Sequence, residues 1–414
     1  MASSHFRKTL FRNREGEHGD RVTNIELFFD LVFVFAVTQL SHRLLAHLTP
    51  HGALETLVLF LAVWWLWMYT SWATNWLDPE RPPVRVLLMA MMLGGLALSS
   101  ALPAAFGDGG MVFATAYVAM QVGRTLWIAW ISRGHNPARV RNFLRIAFYF
   151  LLGAPFWIAG AFSEPETRLW LWIAALVIEY SGPWLFFATP VLGRSNLDDW
   201  DISGHHMAER CSLFIIIALG EAIIVTGATF ATLVPDAPTI ATFATSFIGS
   251  AVMWWIYFDT GAEQGSVALE EGETGKIARN AYTYLHMPIV AGIVVTAVAD
   301  EKMLAHPAGH ADLSFVLVAC GGPALFLLGN LLFKWMTAGR TTPPFSHCIG
   351  LLLLAATGAV GLITHWQPLT IGVAATGTLI VTAAWEWFSL HGGWRRWTPG
   401  VATKPDIALE GDGR

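Results

Sequence analysis

Apolar runs of about twenty residues recur twelve times along the 414-residue chain, separated by short breaks rich in proline, glycine and charge. A helix rises 1.5 Å per residue, so each run is long enough to cross a hydrocarbon core about 30 Å thick. The runs cover roughly 25–48, 53–77, 84–106, 110–133, 141–163, 167–190, 206–232, 239–260, 276–299, 312–337, 344–366 and 368–391. Breaks such as 77–83, 163–166 and 234–238 carry the turn residues that end helices. Barrel strands would read as alternations of ~10 residues, so the expected fold class is all-α, a polytopic transmembrane helical bundle of about 12 spans. With 54% hydrophobic and only 13% charged residues, the chain lacks the polar surface of a soluble enzyme or a disordered segment. A net charge of −5 points away from nucleic acid, leaving the lipid bilayer as the expected partner. Cys211, Cys320 and Cys348 lie far apart in apolar stretches, which gives neither a disulfide framework nor a metal-binding CxxC.

Lysine and arginine test the span count independently. With the N-terminus in the cytoplasm, 21 of the 25 basic residues fall on the cytoplasmic side, Arg194 and Arg210 among them. Only Arg43, Arg168 and Lys302 face outward, and Arg124 is left within a span. Both termini are therefore expected in the cytoplasm, with the chain in the cell (bacterial inner) membrane and the first run serving as an uncleaved anchor. The expected organisation is a cytoplasmic segment 1–24, a six-helix half 25–190, a linker 191–205, a second half 206–391 and a cytoplasmic tail 392–414. The linker holds Asp198, Asp199 and Asp201.

The halves look duplicated, a 6+6 parallel internal repeat with its axis along the membrane normal. Trp64-Trp-Leu-Trp-Met-Tyr-Thr70 in the second span matches Trp254-Trp-Ile-Tyr-Phe-Asp-Thr260 in the eighth. Gly123-Arg-Thr-Leu-Trp127 resembles Gly329-Asn-Leu-Leu-Phe333, and the first and seventh spans open on Glu26 and Glu209. Tryptophan and tyrosine near span ends are expected to form an interfacial belt.

An ionisable side chain at the bilayer centre costs ~2.5–3.5 kcal/mol on insertion scales, so each one demands a reason. Glu26 and Asp30, four apart, share one helix face about 6 Å from each other, and either one is protonated or a cation lies nearby. Thr23-Asn-Ile-Glu26 also has capping-box spacing, which leaves Glu26 open to a capping role. For Asp30, the expected partner is Arg124, at comparable depth, in a structural ion pair or a working site. Glu179, Glu209, Glu221, Asp259 and Glu386 add an excess of acid at membrane depth, suggesting a cavity for cations or protons. His286, followed by Pro288, is either a titrating group or an interhelical hydrogen bond. His205-His206 has no companion ligands, so no metal site and no cofactor are expected. GxSxG, HExxH, P-loop and Rossmann signatures do not occur in a plausible setting, and no enzyme activity is expected.

Arg21-Val-Thr-Asn-Ile-Glu-Leu-Phe-Phe-Asp-Leu-Val-Phe-Val34, leading to Thr38-Gln-Leu-Ser41, resembles the signature of the bacterial low temperature requirement A (LtrA) family. The seventh span, Glu209-Arg-Cys-Ser-Leu-Phe-Ile-Ile-Ile-Ala-Leu-Gly-Glu221, is similar to that family's second hallmark. Tyr257-Phe-Asp259 and His286-Met-Pro288 fit the same pattern. The resemblance implies a polytopic bacterial membrane protein linked by name to growth in the cold, without implying a substrate. Phe29-Asp-Leu-Val-Phe-Val-Phe-Ala-Val-Thr38 is also similar to the first-helix Phe-Ser-Asp motif of a lysosomal and bacterial potassium channel family built from six-helix repeats. Phe29 replaces the serine, and Leu213 occupies the matching place in the seventh span. Two functions follow as expectations: a transporter or channel for a small solute, cation or proton-coupled, with Glu26, Asp30, Arg124, Glu179, Glu209, Glu221, Asp259 and His286 in its pathway, or a non-transporting scaffold or stress-adaptation factor. A lipid-acting enzyme ranks last, for want of a nucleophile and base.

Overall fold

A computed structural model describes residues 10–12, 21–195, 203–259, 278–337 and 342–390. Arg7, Lys8, Arg14, the three linker aspartates and the basic C-terminal tail lie outside these residues. Long α-helices account for the architecture: α1 (Asn24–Ala46), α2 (Pro50–Trp76), α3 (Pro82–Ala101), α4 (Gly110–Ile131), α5 (Pro137–Ala161) and α6 (Pro165–Trp184). After the linker come α7 (Gly204–Phe230), α8 (Ala237–Phe258), α9 (His286–Ala305), α10 (Leu313–Thr337), α11 (Phe345–Ile363) and α12 (Pro368–Leu390). Ten of them are long and apolar enough to cross a membrane. The other two are α4 and α6, whose polar residues include Arg124 and Glu179.

The polar breaks in the sequence become helix starts. Pro50, Pro82, Pro137, Pro165 and Pro368 open their helices, where a missing N–H is no loss. Thr49, Asn136 and Asp236 accept from the backbone N–H groups of Gly52, Arg139 and Thr239. At the start of α10, burial pushes the Asp312 carboxyl up, but the Phe315 N–H, Lys302 and Ser314 together hold it below its ordinary value.

Neighbour relations repeat between the two sets of six. Helix α1 packs on α2 and α3, α2 on α4 and α6, α3 on α4, α4 on α5, and α5 on α6. Adding six to each label gives pairs that also pack: α7 with α8 and α9, α8 with α10 and α12, α9 with α10, α10 with α11, and α11 with α12. The two sets meet where α1 touches α7 and α9, and where α2 touches α7.

Helices α9 and α10 approach closely because glycine lets their backbones meet. A Cβ on Gly292 would lie 2.4 Å from the Phe326 backbone nitrogen, and one on Gly322 would lie 2.6 Å from the Thr296 nitrogen. Neither obstacle is a side chain that could swing away. Gly292→Leu should therefore force α9 off α10 and cost at least the ~1–3 kcal/mol typical of overpacking, read as a lower unfolding midpoint in detergent.

The tryptophan belt needs correction. Trp64, Trp65, Trp67, Trp72 and Trp76 all point into the core, because α2 is surrounded by neighbours. Trp130, Trp170, Trp184, Trp254, Trp255 and Trp385 are exposed, as a belt requires. Exposed leucine, isoleucine, valine and phenylalanine cover much of the remaining outer surface. That distribution, apolar outside and charge inside, suits lipid rather than water.

Candidate functional site

Helices α1, α2 and α7 converge on the first acidic pair. Glu26 and Asp30 leave α1 one turn apart, and both are fully buried. Glu26 Oε2 accepts from Arg12 Nη2 at 2.8 Å and from both the Thr23 N–H and the Thr23 hydroxyl at 2.9 Å. Its Oε1 lies 2.8 Å from His206 Nε2. Arg12 is itself fixed by Nε, which donates to the Thr74 and Leu77 carbonyls at 2.8 and 3.2 Å. Capping and charge pairing, open alternatives in the sequence, are thus performed by the same carboxylate. His206, which the linker pattern left without a role, completes the cluster and meets Asn75 Nδ2 at 3.3 Å.

One turn deeper, Asp30 Oδ1 accepts from Trp67 Nε1 at 2.7 Å and from Arg210 Nη2 at 2.8 Å. The same nitrogen donates to Ser71 Oγ at 3.2 Å, and the Phe29 and Trp67 rings each stand 5.8 Å from the guanidinium carbon. This corrects two expectations. Arg210 is no cytoplasmic surface cation but a fully buried one, and it takes the place expected for Arg124 as partner of Asp30. Depth along an axis says nothing about azimuth: α4 packs on α2, α3 and α5, and Arg124 reaches Thr70 of α2 while Arg210 takes the neighbouring Ser71 and Asp30. The pair is also incompletely satisfied: Asp30 Oδ2 and Arg210 Nε and Nη1 are buried without a hydrogen-bond partner. Buried groups in that condition are rare in native proteins and carry a penalty of ~1–3 kcal/mol each, more when charged.

The two stretches that carry the family resemblance are docked on each other. Glu209 Oε2 accepts from the Val22 N–H at 2.9 Å, Arg210 holds Asp30, and Thr38 Oγ1 donates to Glu221 Oε1 at 2.7 Å. Half-buried Glu221 borders a small cavity between α1, α7 and α9, where Thr38 and Ser41 are its polar neighbours.

Arg124 and Glu179 belong to a separate chain within the first six helices. Arg124 Nη1 donates to Thr70 Oγ1 at 2.9 Å, and Nη2 donates to Gln121 Oε1. Gln121 reaches the Tyr117 hydroxyl at 3.2 Å, and that hydroxyl donates to Glu179 Oε2 at 2.5 Å. Trp157 Nε1 supplies Glu179 Oε1 at 2.8 Å. His286 lies 2.9 Å from the Tyr257 hydroxyl and 3.2 Å from the Ala281 carbonyl, an interhelical hydrogen bond at the junction of a π-helical turn (Ala278–Leu285) with α9. Asp259 ends α8, half-buried, with its N–H bonded to the Trp255 carbonyl.

Two further ion pairs are buried away from the α1–α7 seam. Arg43 Nη2 meets Glu55 Oε2 at 2.6 Å, and Lys334 Nζ meets Glu386 at 2.7 and 2.9 Å while donating to the Ile256 carbonyl at 2.8 Å. Glu55 escaped notice because it falls in the first turns of a span, where an acid ordinarily faces water. Among the described residues, no three histidine, cysteine or acidic side chains converge as a metal site.

An apolar-surfaced helical bundle that turns its charges on one another defines a multi-pass membrane protein. The family described as Bacterial low temperature requirement A protein (LtrA) matches residues 21–385, and the chain belongs to that family. It is similar to an uncharacterized protein of Rhizobium meliloti (strain 1021), with 39% identity over 393 residues and 94% of each chain covered. No solved structure matches it.

Proposed function

We propose that this protein is a cell-membrane transporter or channel for a small solute, cation or proton-coupled, made of twelve spans in two parallel six-helix halves with both termini cytoplasmic. The repeated neighbour relations support the 6+6 layout. Short connections on both sides of α4 and between α5 and α6 favour counting α4 and α6 as spans. The three outward-facing cations, the exceptions to the charge rule, are all engaged. Arg43 pairs with Glu55, Lys302 with Asp312, and Arg168 donates to the carbonyls of Ala105, Gly107, Gly160, Ala161 and Ser163. This supports the assigned orientation.

The observation that carries the transport reading is the half-satisfied Asp30–Arg210 pair, set where the two halves meet and in line with Glu26 below it and Glu221 beyond. A bundle selected only to hold together has no use for three unpaired polar atoms at its centre, whereas a solute or a proton path has. The solute path in this reading follows the α1–α7 seam. A scaffold remains the second reading, favoured by Lys334–Glu386, whose amine finds three acceptors near the helix margins.

Flux of monovalent cations and of protons into proteoliposomes distinguishes the two. Glu221→Gln removes a half-buried charge while keeping an acceptor for Thr38, so its unfolding midpoint should stay near that of the parent protein. Its flux should fall by roughly tenfold or more, as expected when a charged group stabilises a passing ion by ~1.4 kcal/mol or more. Parent protein that passes neither ion, or Glu221→Gln that passes them equally, overturns the proposed pathway.

A further inference from the structure

A second, small cavity opens between α8, α9, α10 and α12, away from the α1–α7 seam. Its wall holds Asp300, which is 93% buried by its 7% exposure and has no ion-pair partner among the described residues. The Ser246 hydroxyl sits beside this carboxylate, buried, with no group in hydrogen-bond geometry. Thr296 and Thr376 bring two more side-chain oxygens to the wall. Ala319 and Pro323 line it too, and the proline lacks the N–H that would otherwise occupy the Ala319 carbonyl four residues earlier. Gly249 and Gly372 also line it, with Met303, Phe315 and Leu379, and a Cβ on Gly372 would press on the Met303 side chain.

From this arrangement we propose that the Asp300 cavity binds a monovalent alkali cation, sodium first. The carboxylate, hydroxyl and carbonyl donors are oxygens, the set that hard cations take, and the Met303 thioether beside them is a neutral, weak donor. One carboxylate balances a single positive charge; calcium and magnesium sites ordinarily recruit further acids. The lone buried carboxylate is costly when empty of a partner, and a bound cation removes that cost. Asp300, Ala319 and Gly372 lie within two turns of the helix ends on the side that bears the α9–α10 connection, with Thr296 and Ser246 near mid-helix, so the cavity lies closer to that face. The proposal deepens the transport reading by naming its coupling ion, and rests on that reading only for the coupling role. The binding itself requires no transport.

The test is thermal unfolding of the detergent-purified full chain in NaCl, KCl and choline chloride at equal ionic strength. Sodium well above its Kd should raise the midpoint by roughly 2–4 °C over choline. Asp300→Asn should abolish that difference and Thr376→Val should shift the half-saturating sodium concentration upward by roughly tenfold, while Glu166→Gln, exposed at the start of α6 in the other half, keeps the response. Should Asp300→Asn not fold, Thr376→Val and Ser246→Ala carry the test. A midpoint indifferent to the cation, or a sodium response that survives in all the cavity variants, overturns the proposal. So does stabilisation of the parent by acid in place of sodium, which would make the site a proton carrier. Because binding is read without a membrane, a cavity that fails leaves the flux result standing, and a failed flux leaves the cavity.

Discussion

Arg210→Met is expected to destabilise the folded protein by about 3–5 kcal/mol, the usual cost of stripping one partner from a buried ion pair. Asp30 would keep only the Trp67 N–H, fully buried and with the Glu26 carboxylate one turn away. Asp30→Asn alone strands the guanidinium instead, leaving it with the Ser71 hydroxyl. The double variant Asp30→Asn/Arg210→Met leaves no charge at that level, keeps an acceptor for Trp67, and should recover most of the loss. The measurement is a reversible unfolding cycle in mixed micelles, and the expected coupling between the two positions is ~2 kcal/mol or more. A double variant as unstable as the sum of the singles would mean that Asp30 and Arg210 do not act on each other. Arg124→Gln offers a contrast. Its guanidinium touches a hydroxyl, an amide and a carbonyl but no carboxylate, so its loss strands no opposite charge and should cost less.

The difference between those two arginines shows what the sequence could and could not reveal. Span ends were legible because proline and capping side chains act within one turn of where they sit: Thr49-Pro50, Asn136-Pro137 and Asp236 mark their helices by local chemistry alone. The shared face of Glu26 and Asp30 was legible for the same reason, since helical periodicity fixes neighbours three and four apart. Which helix supplies the counter-charge is a question of azimuth and packing order, and no local rule encodes it. Arg210 looked cytoplasmic because it lies within two turns of the start of α7, close to a polar linker. It is buried because α1 and α2 pack against that end of α7. The docking of the two family stretches on each other had a usable signal in hindsight: each carries acids at membrane depth, and only the second carries an arginine within its helix. Asp300 was missed because it stands just past the last apolar residue of its run, where an acid ordinarily meets water.

Lys334→Met should be the second most damaging change, and it separates holding the bundle together from conducting through it. The lysine amine is 3% exposed and serves both oxygens of Glu386 and the Ile256 carbonyl, joining α10, α12 and the end of α8. Removing it strands a carboxylate that is 11% exposed. That leak to solvent places the expected cost at the lower end of the ~3–5 kcal/mol range for a broken buried pair. Lys334→Met/Glu386→Leu should return close to parental stability, because apolar groups of similar volume pack well where neither charge is needed. What distinguishes this pair from the seam pair is completeness: the Lys334 amine has an acceptor for each of its three protons, whereas Arg210 leaves two nitrogens unpaired. A satisfied pair at a helix margin has no room for a passing ion. The double variant, once folded, should therefore conduct like the parent in proteoliposomes, while Asp30→Asn/Arg210→Met, equally folded, should not. If both double variants kept full flux, the α1–α7 seam would be glue like its counterpart, and the path would have to be sought elsewhere in the bundle.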